Sequence, residues 1–396
     1  MTPALTSVEF LLADAPRRHA ENSRLNGTEQ VHQITLLSGE NGWLVTGYEA
    51  ARQALTDPRL HGRTGAVGDR RRLPEDVQLG MNSHMLNREP PDHTRLRRLI
   101  SAAFTRRRLE QLRPRIQTIT DRLLDAMAGR DQVDLIEALA LPLPIRVLCE
   151  LVGIPQRDTG AIHRWTETLT ASALPLDQLD AAATEMLDYV RSLLADKRRA
   201  PGDDMLSALA VAGQDGDQLT GPELTSMVFL LLIAGHETTV NLIGNATLAL
   251  LTHPAELARL RAHPELLPSA VEEVLRYESP VQAALRHSTE PVELAGVTIP
   301  AGSVVIVSLL AANRDPARFP GADRLELPRA DNPHLAFGHG IHHCLGAPLA
   351  RLDGAIAIGS LLGRFPRLEL AAPAGALRWR VSLVMHGLAE LPVRLG

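Results

Sequence analysis

Residues 227–251, MVFLLLIAGHETTVNLIGNATLALL, restrict the fold of this chain more than any other segment. Both flanks are apolar on every helical face, yet the centre carries His236, Glu237, Thr238 and Thr239, followed by Asn241 and Asn245. In lipid, each ionisable group at that depth costs several kcal/mol. On a protein surface the apolar flanks would face water. The segment therefore reads as a helix buried inside a protein, with a polar notch at mid-length. Thr220 and Glu223 form a capping-box pattern with Pro222 in the first turn, and Thr252-His253-Pro254 stops the helix. About 30 residues at 1.5 Å each span roughly 45 Å, so the surrounding body must be large.

The chain of 396 residues can supply that body. It has no linker-like, repeated or low-complexity stretch, and apolar residues run from end to end. We expect one domain over 1–396, mainly α with small β-sheets (α+β). A β-rich part is expected at about 30–60, and late strands at about 377–395. The segment QITLLSGENGWLVTGY predicts a hairpin turning at Glu40-Asn41-Gly42. Amphipathic helices are expected over HTRLRRLISAAFT, over LEQLRPRIQTITDRLLDAMAG with Gly129 as its stop, and over DQLDAAATEMLDYVRSLLADKRR. Ser269 and Glu272 suggest a capping box for PSAVEEVLRYESP, and 61–90 reads as a long irregular loop.

A net charge of −5 and only 3% aromatic residues argue against nucleic acid as a partner. Two cysteines make no disulfide framework and suit a reducing compartment. The N-terminal residues lack the charged and apolar blocks of a signal peptide, so a cytoplasmic protein without membrane anchor is expected.

One of those cysteines, Cys344, stands in AFGHGIHHCLGAPLAR, 336–351. Three readings compete for it. It could be a buried core thiol. With His339, His342 and His343 it could bind zinc, although no second ligand pair stands out elsewhere. It could be a thiolate ligand to haem iron. Gly338 and Gly340 permit a tight loop before it. The helix that follows offers amide groups and a dipole to an anionic sulfur. Phe337 can shield that sulfur, and Gly346 leaves room for a flat ring.

The segment FGHGIHHCLGA resembles the haem-binding signature of the cytochrome P450 monooxygenases, and three further segments agree with it in order and spacing. AGHETT (234–239) resembles the family's oxygen-activating motif. Read without that likeness, it is equally a helix bend with threonine back-bonding. EEVLR resembles the family's ExxR pair through Glu273 and Arg276, with Arg329 the third member in LELPRADNPHLAFG. An isolated pair of this spacing is otherwise a surface salt bridge. REPPDHTRLRRLISAAFT resembles the bacterial family's helix that binds a haem propionate, and AANRDP (311–316) also fits. His343 and His386 depart from the residues common in relatives.

The resemblance implies a P450 fold with haem b between the long central helix and the helix after the cysteine loop. Cys344 would be the axial ligand, with Phe337, Gly346 and Ala234 beside the ring and His93, Arg97, Arg286 and His342 on the propionates. Glu237 and Thr238 would deliver protons. Such an enzyme takes O2 and hydroxylates or epoxidises a lipophilic small molecule, here a bacterial specialised metabolite such as a polyketide or macrolide, a terpenoid or a steroid-like compound. Pocket walls are expected from 61–90, Ala234, Val281 to Ala284, and Leu383. Arg70, Arg71 and Arg72 are either a solvated run or an entrance contact. Electrons would come from a ferredoxin and its reductase, with Arg95, Arg98 and the run 105–108 as a docking patch; the resemblance further implies a monomer. A peroxide-using or coupling enzyme keeps the same haem. A haem sensor would not need AGHETT, and a cysteine hydrolase lacks a separate base.

Overall fold

The computed structural model describes residues 6–62, 73–101, 104, 106–171, 174–211 and 218–396. The first helices are α1 (Ala15–Asn26), α2 (Tyr48–Thr56), α3 (Glu75–Asn82), α4 (Asp92–Ser101) and α5 (Arg106–Met127). The next are α6 (Pro142–Val152), α7 (Thr159–Thr170), α8 (Leu176–Arg199) and α9 (Met205–Val211). The centre and C-terminal half hold α10 (Gly221–Gly235), α11 (Glu237–Thr252), α12 (Pro254–Ala262), α13 (Leu267–Tyr277), α14 (Leu309–Ala312) and α15 (Ala347–Arg364).

The strands are β1 (Thr6–Ser7), β2 (Val31–Thr35), β3 (Asn41–Val45), β4 (Leu60–Gly62), β5 (Gln132–Asp134) and β6 (Ala283–Ser288). After them come β7 (Val292–Leu294), β8 (Val297–Ile299), β9 (Val304–Ser308), β10 (Glu369–Leu370) and β11 (Pro392–Arg394). One sheet has the order β1-β2-β3-β9-β6-β4, a second β10-β11-β5, and β7 pairs with β8. The architecture is mainly α with small sheets, the class read from the sequence.

Four local expectations are corrected. The hairpin turns one register earlier, at Leu36 to Glu40, because Gly39 takes the left-handed conformation (φ 83°) and the Leu36 amide reaches Glu40 O at 2.8 Å. Gly42 lies inside β3. The segment 61–90 contains α3 and a short 3₁₀ turn at Met85–Asn87. α13 starts at Leu267 without a side-chain cap, and Glu272 is drawn instead to His334 and Arg351. The central helix, capped by the Thr220–Glu223 box, is interrupted at His236 (φ −121°, ψ −43°).

That interruption has a packing counterpart. Met227 to Leu232 of α10 belong to a core shared with α4, α6 and α8. Val240 to Leu250 of α11 belong to a different core built with α5, α13 and α15. Close approach of α11 to α15 depends on Gly354, where a Cβ would lie 2.9 Å from Leu242. Gly221–Thr252 is, among the described residues, the one span long and apolar enough to cross a membrane, and 67% of its apolar window is buried within the protein.

Away from this centre, α1 is tied to the C-terminal segment by a buried ionic cluster. His386 Nε2 lies 2.5 Å from Glu278 Oε2, its Nδ1 meets the Arg18 guanidinium, and its ring stacks on Trp379. Burial lowers the His386 pKa to about 4, and burial lowers that of His84 to about 4. Both are neutral when folded but take up a proton near pH 6.5 when unfolded. Their contribution to stability is complete above pH 6.5 and falls as the pH drops toward 4. The expected loss approaches about 1 kcal/mol per pH unit for each histidine. Urea unfolding at pH 7, 6 and 5 should show the midpoint falling; a flat midpoint would count against neutral burial.

Candidate active site

The loop before α15 is shaped by two glycines in the left-handed region, Gly338 (φ 71°) and Gly340 (φ 74°). Gly340 also packs closely: a Cβ there would lie 2.9 Å from Thr56 Cγ2 and 3.0 Å from Leu55 O. The Cys344 amide closes the loop on Phe337 O at 2.8 Å. Cys344 thus stands just ahead of α15, whose cap is Gly346. Burial pushes the thiol above its ordinary range, while the Gly346 and Ala347 amides and the charges of Arg97 and Arg351 pull toward the thiolate. Cys344 is nonetheless an exposed residue. Cys149, by contrast, is fully enclosed and burial holds its thiol protonated, up to about 12. The Phe337 ring lies under the Arg351 guanidinium at 4.5 Å, with the His343 ring 6.3 Å away.

The notch of the central helix supplies a second accessible patch. Ala234 is exposed and Thr238 half-buried, on a segment whose neighbours Leu232 and Val240 are buried. The Thr238 hydroxyl donates to Ala234 O at 3.1 Å, bridging the interruption. Glu237 turns the other way and is buried. Its carboxylate meets the Arg380 guanidinium and lies 3.3 Å from both His163 Nδ1 and His236 Nε2. Burial alone would raise its pKa, but His163, His236 and Arg380 outweigh burial and hold the carboxyl well below its usual range.

Four cationic or hydrogen-donating groups gather from separate elements. His93 of α4 is buried with neither ring nitrogen hydrogen-bonded, and its ring lies edge-on to His342 at 4.6 Å. Arg97, one turn on, donates to His343 O at 2.7 Å. Arg286 of β6 is buried and donates to Leu285 O at 2.9 Å. His342 Nε2 is 3.3 Å from Glu89 Oε1. Burial depresses the pKa of His93, Arg286 and His342 alike. Buried donors without acceptors, as in His93, are rare in folded proteins, and the cationic side chains beside it fit an anionic partner.

Beneath the cysteine loop, Glu273 and Arg276 are fully buried and bidentate at 2.8 Å. Arg329 Nε joins at 3.1 Å from Glu273. Val281 bridges to Met385, and Gln282 Nε2 donates to Ser382 O at 2.7 Å, holding Leu383 beside Leu285. Val281, Ala284 and Leu383 are half-buried.

The chain is 50% identical over 392 residues to cytochrome P450 107B1 of Saccharopolyspora erythraea, covering 97% of this chain and 96% of that protein. It belongs to the cytochrome P450 family. The family's sequence profile, cytochrome P450, matches residues 176–372. Mycinamicin IV hydroxylase/epoxidase of Micromonospora griseorubida is 42% identical, with 93% of each chain covered. The solved structure of the tirandamycin C-bound P450 monooxygenase TamI superposes with a TM-score of 0.90 at 43% identity, over 99% of this chain and 100% of that one. This P450 is therefore a monooxygenase of the class that acts in bacterial specialised metabolism.

Several residues at the site had no distinguishing signal in the sequence of this P450. His163 and Arg380 reach Glu237 from positions 74 and 143 residues away, and Glu167 pairs with Arg380. Glu89 bonds both the Gly62 amide and His342, and Arg351 covers Phe337. Of the expected docking patch, Thr105 lies outside the described residues, as do the side chains of Arg106 and Arg107. Arg95 is ion-paired with Glu223. Arg70, Arg71 and Arg72 also lie outside the described residues.

Proposed function

We propose that this P450 hydroxylates or epoxidises a lipophilic specialised metabolite, of macrolide or other polyketide, terpenoid or steroid-like type, using O2 and electrons from a ferredoxin and its reductase. It would act as a single-domain monomer in the bacterial cytoplasm. The observation that carries the reading is the pairing of Cys344 ahead of α15 with His93, Arg97, Arg286 and His342, of which His93 is buried with both ring nitrogens unpartnered. An axial sulfur and an anion-binding edge suit haem b. Bound there, it supplies the redox centre for oxygen activation. The relatives named 6-deoxyerythronolide B hydroxylase and mycinamicin IV hydroxylase/epoxidase support the reaction type and the substrate class.

The protein's own contributions follow from placement. The amides of Gly346 and Ala347 favour the anionic form of Cys344 Sγ, and Phe337 limits water there. Ala234 borders the cleft without filling it. Thr238 Oγ1 can release Ala234 O and donate its hydrogen toward bound oxygen, while the ionised Glu237 carboxylate behind it can accept a proton and pass it on. Val281, Ala284 and Leu383 offer an apolar wall that orients the substrate. Glu273, Arg276 and Arg329 hold the cysteine loop from below.

Thr238→Ala should leave electron uptake from NAD(P)H largely intact and lower product formed per electron by roughly tenfold. The assay drives turnover with a surrogate ferredoxin on a ligand found by screening lipophilic compounds for a shift of the haem band. Unchanged coupling would remove Thr238 from proton delivery, and the absence of any turned-over ligand would overturn the monooxygenase reading.

A further inference from the structure

The residues around Glu237 form a cluster that oxygen chemistry alone does not require. His163 comes from α7, His236 from the break between α10 and α11, and Glu237 from the first turn of α11. Glu237 Oε1 lies 3.3 Å from His163 Nδ1 and 3.3 Å from His236 Nε2, and the three ligand atoms fall within 4.8 Å of one another. A tetrahedral ion with bonds of about 2.0–2.1 Å to nitrogen and oxygen holds its ligand atoms roughly 3.3 Å apart. Despite these distances, Glu237 Oε1 and His163 Nδ1 make no hydrogen bond, and both are buried. Their directions miss each other, as they should when both converge on a third point.

The outer contacts suit ligation as well. His236 Nδ1 donates to Leu232 O at 3.2 Å, which leaves the Nε2 lone pair facing the cluster. His163 presents its other nitrogen, Nε2, to Glu167 Oε2 at 3.9 Å. Glu237 Oε2 is held by Arg380, so Oε1 is the free oxygen. The carboxylates of Glu237 and Glu167 outnumber the one guanidinium of Arg380 beside the two imidazoles, an excess of negative charge that a divalent cation balances. Thr166 Oγ1 lies 3.2 Å from His236 Nε2, but it also reaches Ile162 O and His163 O at 3.0 Å and can give up the histidine. The similar trio His19, Glu278 and His386 is different: Arg18 abuts His386 Nδ1 and Arg314 lies 3.3 Å from Glu278. There, His19, His386 and Arg314 already hydrogen-bond both oxygens of the carboxylate.

We propose that His163, His236 and Glu237 form a binding site for a divalent transition metal of the zinc type, clamping α7 to the broken central helix. Occupation takes Glu237 Oε1 out of proton handling. Zn²⁺ would therefore slow turnover, a consequence that rests on the function proposed above, whereas binding does not.

Binding is measured by titrating the haem-loaded protein with Zn²⁺ against a chromophoric chelator. The wild-type protein should take up one equivalent, with affinity reduced at least tenfold in His163→Gln and in Glu237→Gln and unchanged in His263→Gln, an exposed histidine. The reduced carbon-monoxide spectrum checks the fold of each variant; should Glu237→Gln lose haem, His163→Gln decides. No stoichiometric uptake by the wild-type protein, or full affinity in His163→Gln, would overturn the site. Zinc bound at this site without slowing turnover would leave the site standing and count against Glu237 in proton handling.

Discussion

Cys344→Ser should lose the thiolate signature of the reduced carbon-monoxide complex, and O2-dependent turnover should fall by about 10³-fold or more, equivalent to about 4 kcal/mol of barrier. Serine keeps the size of the side chain and the loop closed by the amide bond to Phe337 O. The loss would therefore come from the ligand atom. A hydroxyl is far harder to ionise than a thiol; burial pushes the Cys344 thiol up, and the Gly346 and Ala347 amides with Arg97 and Arg351 offset only part of that, too little for a hydroxyl. Turnover and spectrum both unchanged in Cys344→Ser would dismiss the assignment of Cys344 as the axial group.

The second large effect concerns stability. Glu273→Ala should destabilise the protein by about 3–5 kcal/mol, the range for removing one partner of a buried ion pair. Arg276 is fully buried, and its guanidinium donates to Glu273 and to the carbonyl oxygens of Asn313, Ala322 and Arg324. Glu273 also accepts from the Glu326 amide and from Arg329. Without the carboxylate, Arg276 loses its counter-charge inside the core, Arg329 keeps only that of Glu326, and the segment leading to the cysteine loop loses an anchor. Denaturant unfolding with haem content as a second reading tests this. A shift below about 0.5 kcal/mol would mean that the pair is dispensable.

Much of the site can be read in the sequence because its parts are local. The loop glycines, the cysteine and the following helix lie within one short segment. The pattern Glu-x-x-Arg places both side chains on one helical turn, and the capping box at Thr220 is a four-residue signal. What could not be read is whatever depends on long-range burial. An i,i+3 pair looks the same in sequence whether it is solvated or, like Glu273 and Arg276, enclosed. The helix break at His236 was hidden because the apolar pattern continues through it; it is set where α10 and α11 join different cores.

The amino-acid order alone determined the element types, the central buried helix and the cysteine loop, because periodicity, capping and glycine conformation act over a few residues. Tertiary structure alone decided the company each charge keeps: Glu237 with His163 and Arg380, His342 with Glu89 and His93, His386 with Arg18 and Glu278. Those partners lie far apart along the chain, and only the packing of α1, α4, α7, α11 and the C-terminal segment brings them within bonding distance.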